Sequence, residues 1–405
     1  METVVRAVRK YRKDGLQETL SEAIDILYRR KILRWLSKKT VEESSILTRT
    51  ELRSQAKDMD QYFELPNSDE TPVPQKRDIS SGIPLEEVKP DNYGPSFVTI
   101  LEDTTVLGPA GIGRTSEGSL IADTVARPYH AEGRLANGIS RSMKSFGPIR
   151  SRREIQTPGY MEPSQHFEVA CPLIQMWGEN YYHWVGETLT KLRDVKHICE
   201  RLDIEPTLLI PNEPNSWMIE SLKLLGYDEN NFVELSNLVV GVDRLIVPTY
   251  PDPNASDLRW LRSQMVSGAK GETSPIDISE RIFVTRKDAT RRQMKNVTQV
   301  EELLQARGFE IIDPGNFSVA EQVQMFSDAE VIVGVHGAGL TNIAYSNDLK
   351  IIELFGQRKR TTFYRIAKLL NHEYSYIENE NSGVDIKVDV PELRATVDEI
   401  IAKDL

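Results

Sequence analysis

The sequence predicts an α/β protein in which two βα domains meet at a hinge, with a helical extension ahead of them. Three observations carry this. From Phe167 onward, short β-branched apolar runs alternate with helix-length segments, the pattern of parallel sheets. Residues 266–279, Val-Ser-Gly-Ala-Lys-Gly-Glu-Thr-Ser-Pro-Ile-Asp-Ile-Ser, break that alternation with the clearest hinge composition in the chain. The alternation then resumes and runs to Tyr374–Ile377. The chain has 405 residues, 39% hydrophobic and 27% charged, enough for two or three domains of ordinary globular composition.

Residues 1–63 read as a basic helical extension. Leu16, Leu20, Ile24 and Leu27 recur at helical spacing, and Trp35-Leu36 continues the apolar face. Residues 1–39 hold eleven Lys or Arg against five Asp or Glu, a net +6, which leaves −17 for the rest of a chain at −11. Such a helix suits an anionic membrane surface, and equally suits packing on the body with its basic face in water. Asp58 and Asp60 form a DxD in a polar, helix-compatible stretch that a solvated face accounts for. Residues 64–95, with Pro66, Pro72, Pro74, Pro84, Pro90 and Pro95, read as a linker or extended arm.

Residues 96–267 make the first domain. From Phe97 to Tyr129, apolar segments broken by Gly and Asp turns predict β-hairpins. Strands follow at Phe167–Met176, Leu208–Pro211, Phe232–Leu235 and Arg244–Val247, with a helix at Tyr181–Arg193. The hinge is placed at 268–280. Residues 281–405 make the second domain, with strands at Ile282–Arg286, Phe309–Ile312, Val331–Val335, Ile351–Phe355 and Tyr374–Ile377 and helices at 297–307, 318–328 and after each of the next two strands.

The negative charge argues against general nucleic-acid binding. Cys171 and Cys199 form no CxxC pair, so neither a disulfide framework nor a thiolate zinc site is expected, and a reducing, cytoplasmic setting fits. The first residues have no apolar core of signal-peptide length, and no run of about 18 apolar residues suits a bilayer span.

Four groups of residues carry chemistry. Glu330 to Asn342 reads Glu-Val-Ile-Val-Gly-Val-His-Gly-Ala-Gly-Leu-Thr-Asn: a buried strand, a turn of small residues, then a helix start. That arrangement aims the free N–H groups of His336, Gly337, Ala338, Gly339 and Leu340 at an anion, although a tight βα turn without ligand reads the same way. Arg286, Arg291 and Arg292 follow the strand that opens the second domain, where arginines can grip a diphosphate or form a solvated basic loop. Glu353, near the end of the next strand, fits a ribose-hydroxyl acceptor or a structural ion pair. In Asn180-Tyr-Tyr-His183-Trp-Val-Gly-Glu187, His183 and Glu187 share a helix face. An imidazole beside a carboxylate suits general-base work, or staples a helix; no third ligand completes a metal site.

Together these residues resemble glycosyltransferase family 61. The resemblance rests on Gly334 to Asn342, on Arg286, Arg292 and Asn296 in an Arg-x5-Arg-x3-Asn pattern, on Glu321-Gln322 ahead of the motif strand, and on Asn180, His183 and Glu187. It spans about residues 95–380, and the family's microbial branch includes capsular polysaccharide biosynthesis proteins. It implies a GT-B architecture of two Rossmann-like domains facing a cleft, with acceptor on the first and sugar nucleotide on the second. It also implies inverting transfer without an obligatory metal or other cofactor, a UDP-sugar as expected donor, and a glycan or lipid-linked glycan acceptor at the inner face of the membrane. Glu187 would be the base with His183 in support. Arg286, Arg291, Arg292, Asn296, His336 to Asn342 (including Thr341) and Glu353 would hold the donor. Two departures stand out: Val297 follows Asn296 where relatives often carry Glu, and Thr285 replaces Ser ahead of the first arginine.

Three other readings use the same residues differently. A sugar-nucleotide epimerase would need no acceptor, and a non-catalytic nucleotide-binding protein would bind without turnover. A Ser-His-Asp hydrolase lacks a Gly-x-Ser-x-Gly elbow here.

Overall fold

The computed structural model describes residues 28–58, 61–64, 78–80, 83–88, 96–125, 131–249, 254–272, 276, 278–286, 293–356, 358–382 and 385–402. The helical repeat at Leu16–Leu27, Asp60, Arg291 and Arg292 therefore lie outside the described residues. The class is α/β, built on two sheets.

The first sheet gathers β1 (Ile46–Leu47), β2 (Tyr62–Glu64), then, past the arm strand β3 (Asp78–Ser80), β4 (Phe97–Leu107), β5 (Ile112–Arg114), β6 (Leu120–Ile121), β7 (His166–Pro172), β8 (Thr207–Pro211), β9 (Phe232–Leu235) and β10 (Val239–Pro248). Their order is β1-β6-β5-β4-β10-β7-β8-β9, with β2 also on β4. The run β10-β7-β8-β9 is parallel, as the alternation requires, and the expected hairpins add an antiparallel flank through β4. This sheet is thus mixed rather than purely parallel. The early segment is not helical throughout, because β1 and β2 belong to the sheet while helices Leu33–Glu42 and Arg49–Asp58 lie between and before them.

Two differences from the sequence reading have clear causes. Only the second half of β10 was legible, because Gly241 and Asp243 interrupt its apolar run. Gly241 is there because a Cβ would meet the His166 ring at 2.3 Å. The helix Ala255–Ala269 runs into the segment expected to bend, and Gly268 lets it approach backbone, since a Cβ would lie 2.0 Å from the Leu224 carbonyl.

The second sheet contains β11 (Arg281–Val284), β12 (Glu310–Ile312), β13 (Val331–Val335), β14 (Lys350–Phe355) and, after the short β15 (Arg358–Arg360), β16 (Glu373–Glu378). All its pairings are parallel, in the order β12-β11-β13-β14-β16. Counted within the sheet this is 2-1-3-4-5, a doubly wound order whose direction of winding reverses between β11 and β13. The β-branched strand Val331–Val335 is buried at every position, as a strand covered on both faces must be.

The two sheets share one apolar cluster, running from Val98, Val169 and Ile246 through Trp184, Phe326 and Tyr345 to Ile282, Ile332 and Ile351. The proline-rich arm crosses between them: β3 pairs antiparallel with β15, and Ile79, Leu85 and Val88 pack on Phe355 and Tyr364. No helix among the described residues is long and apolar enough to cross a membrane.

Candidate functional site

In an open parallel sheet, ligands bind where the winding reverses, at the carboxyl ends of the strands. Between the ends of β11 and β13 lies a cavity of about 200 Å³ lined by Phe283, Thr285, Arg286, Gln293, Met294, Val297 and Val335. The Thr285 hydroxyl is buried and has no hydrogen-bond partner among the described residues. Leaving such a group unpaired costs about 1–3 kcal/mol, so a ligand that bonds it recovers that cost. Arg286 crosses to the turn after β13 and donates from Nη1 to the His336 carbonyl at 3.2 Å.

The glycine turn makes this crossing feasible. A Cβ on Gly337 would lie 1.3 Å from Arg286 Nη1, so the missing side chain is the space that the guanidinium occupies. A 3₁₀ helix, Ala338–Tyr345, starts at the turn rather than an α-helix. Not all the expected amides are available to a ligand. His336 N–H donates to the Leu354 carbonyl at 3.1 Å and Leu340 N–H to the Gly337 carbonyl at 3.0 Å. Gly337, Ala338 and Gly339 remain, at the end of the helix where N–H groups lack intrahelical acceptors.

Several residues read as donor contacts are instead engaged by the protein. Glu353 is fully buried, one oxygen facing His336 Nδ1 and the other accepting from the Tyr374 hydroxyl, so it orients His336 and is not placed to accept ribose hydroxyls. The Asn296 amide donates to the Val388 carbonyl and accepts from the Val388 N–H, both at 2.9 Å, which ties its segment to the backbone at Val388. Asn342 is buried between Gln322, which accepts at 2.8 Å, and the Tyr181 hydroxyl, which donates at 2.8 Å. Glu321 closes the capping box of helix Val319–Ser327 with Ser318. Leu340 packs in the core and Thr341 is buried, its hydroxyl unpartnered among the described residues.

The second half of the site sits above the first sheet. Asn180 caps a single α-helical turn, Tyr181–His183, by accepting from Tyr182 N–H, and the chain then widens into a π-helix over Trp184–Leu189. Such bulges are common at functional sites because they redirect side chains without ending a helix. Here His183 Nδ1 lies 2.6 Å from Glu187 Oε2. The Glu187 side chain is 2% exposed and that of His183 20%. If the carboxylate is ionised it only accepts, and the Nδ1–H donates to it. Gln175 donates to the His183 carbonyl and to Thr188 Oγ1, holding the bulge from below.

One turn on, Lys191 is buried beside Cys171, Asp123 and Glu187, and burial lowers its pKa although those neighbours pull it back up. Asp123 in turn pairs with Arg49 at 2.5 Å. This buried charged cluster escaped the sequence reading because Arg49, Asp123 and Lys191 are far apart in the chain and carry no motif.

The two halves meet. Tyr181–Asn342 is a direct hydrogen bond between them, and Phe363 fills the space beside it. The Phe363 ring lies 5.2 Å from His336 and 5.9 Å from Tyr182, which stands edge-on to His183 at 5.2 Å.

Residues 181–352 match a family model, that of Glycosyltransferase 61. The match opens at Tyr181, just ahead of His183, and closes within β14, so it takes in both halves of the site. The match supports a glycosyltransferase in general. Through this stretch, less than half of the chain, the protein is similar to glycosyltransferase family 61. No curated protein matches the chain.

Proposed function

We propose that the protein is an inverting glycosyltransferase that moves a sugar from a nucleotide-diphospho-sugar, UDP-linked in our reading, to a hydroxyl of a glycan or lipid-linked glycan in surface polysaccharide synthesis. The observation that carries the proposal is the junction of the two half-sites through Tyr181 and Asn342, with an unpartnered Thr285 hydroxyl in the cavity on one side and the His183–Glu187 pair on the other. In this reading the halves work as the two faces of a GT-B enzyme. The donor diphosphate lies against Thr285, Arg286 and the amides of Gly337 to Gly339.

His183 Nε2 takes the acceptor proton while the acceptor oxygen attacks the anomeric carbon from the face opposite the diphosphate. The bond from that carbon to the diphosphate oxygen breaks, and its electron pair leaves with the nucleotide. Arg286 and the turn amides stabilise the charge that develops there. Glu187 holds the imidazole in the right tautomer and stabilises its protonated form.

Near the start of the described chain, Tyr28, Ile32 and Trp35 are exposed at helical spacing among Lys31, Arg34 and Lys38. This face fits peripheral contact with an anionic cytoplasmic membrane surface, where lipid-linked acceptors lie.

Thermal shift with UDP and with uridine tests the donor site. Arg286→Ala should weaken UDP far more than uridine, because the lost contacts are to phosphates and are each worth roughly 1.5–3 kcal/mol when desolvated. Gly337→Ala should act through the same arginine, so the double variant should bind UDP no worse than Arg286→Ala alone. Equal loss of UDP and uridine in Arg286→Ala would remove the diphosphate site.

A further inference from the structure

Trp177 differs from the aromatic residues packed around the site. Tyr182, Trp184 and Phe363 are buried, whereas Trp177 is 51% exposed. Its ring centroid lies 6.4 Å from that of His183, with 31° between the planes. It forms one wall of an open groove of about 460 Å³, opposite Asn137, Ser140 and Lys144 of the helix Ala131–Phe146 and beside Asn180. A second compartment of about 290 Å³ shares Arg141, Lys144 and Glu179 with the first and reaches Pro211 and Asn212. Those last residues lie at the carboxyl end of β8, so the groove follows the same edge of the parallel strands from which the loop bearing Trp177 emerges.

The lining states the chemistry. A flat indole face left in water is matched by a molecule with a C–H face of similar size, and the groups around it are hydroxyl, amide and ammonium, suited to a ligand rich in hydroxyls. Asn180 uses its side-chain oxygen on Tyr182 N–H and has its amide NH₂ as donor. Arg141 is paired with Glu179, which holds the wall common to both compartments. Two connected compartments are longer than one sugar ring requires. We propose that this groove binds the acceptor as an oligosaccharide of two or more units, one ring stacked on Trp177 and the reacting hydroxyl directed to His183. The assignment rests on the glycosyl-transfer reading above, but its test does not depend on the donor.

The full-length protein is applied to a printed array of short neutral and acidic oligosaccharides, and UDP thermal shift is measured in parallel. Wild type should bind at least one glycan series. Trp177→Ala should lose roughly ten-fold or more of that affinity, Trp177→Phe should keep part of it, and both should keep the UDP shift of wild type. Equal glycan binding by Trp177→Ala, or no array binding by a wild type that UDP stabilises, would overturn the groove. If UDP fails to stabilise wild type, the nucleotide-sugar reading fails instead, and the array still judges the groove.

Discussion

A carboxylate that is 2% exposed and an imidazole that is 20% exposed cannot take the same part in proton transfer. In the proposed mechanism the more exposed imidazole meets the acceptor hydroxyl, and the buried carboxylate fixes its tautomer. The proposed mechanism thus exchanges the roles that the family resemblance implies, in which Glu187 is the base. His183→Ala should lower turnover by roughly 10²–10⁴-fold, the usual share of a general base. Glu187→Gln should cost less and should move the acidic limb of the rate profile to lower pH, because the imidazolium loses its counter-charge. A larger loss in Glu187→Gln than in His183→Ala would restore the carboxylate as base. At this scale, spacing alone made some residues legible: His183 and Glu187 bond one turn apart, and the strand and turn around Gly337 stand where Val331 to Gly339 placed them. Asn296 and Glu353 were not legible as structural residues, because their partners, Val388 and Tyr374, follow 92 and 21 residues later and belong to other elements. Trp177 carried no signal, since an exposed tryptophan is recognised only once the surface is known.

The 3₁₀ helix after the glycine turn is held at its far end by one side chain. His372 Nε2 donates to the Ile343 carbonyl at 3.1 Å, and Nδ1 accepts from Leu349 N–H at 3.3 Å, so the ring joins this helix to the start of β14. Burial pushes its pKa down to about 4, with Arg262 nearby adding to the effect and the Ile343 carbonyl and Asp348 opposing it. The unfolded chain therefore takes up this proton near pH 6.5 and the folded chain only near 4. The contribution to stability is present above that window and is lost as pH falls through it, on the order of 3 kcal/mol. Denaturant melts between pH 6.5 and 4 should show wild type losing stability faster than His372→Gln; parallel slopes would remove His372 as the cause. Among elements, the second sheet was read almost strand for strand, because its strands are short apolar-centred runs bounded by turns, buried most fully in β13 and β14. The first sheet was harder. Its flank draws on β1, parallel to β6, and β2, antiparallel to β4, two and three residues long, which leave no periodic pattern to read.

Over the whole molecule, charge is divided: the first 39 residues are at +6 and the remainder at −17. A body this acidic is repelled by an anionic bilayer, so contact would fall to the exposed face at Tyr28, Ile32 and Trp35, where Lys39 stacks 5.5 Å over the Trp35 ring. Basic side chains near such a surface contribute about 1 kcal/mol each. Sedimentation with anionic liposomes should weaken as salt rises and should fall several-fold in a Trp35→Ser, Ile32→Ser variant; salt-independent pelleting, or equal pelleting of the variant, would place the contact elsewhere. The arm that crosses between the sheets has a different consequence, in the order in which the protein is made. Ser80 pairs with Arg358, about 280 positions away, and Asp78 meets Arg360 at 2.6 Å. During synthesis the arm leaves the ribosome long before its partner strand exists, and the first sheet can assemble while it waits. Closing that pairing is among the longest-range steps in the chain and comes late. Until then Phe355 and Tyr364 lack the cover of Ile79, Leu85 and Val88, so a chain that stops short of β15 leaves the ribosome with its arm unmatched and its second sheet unfinished.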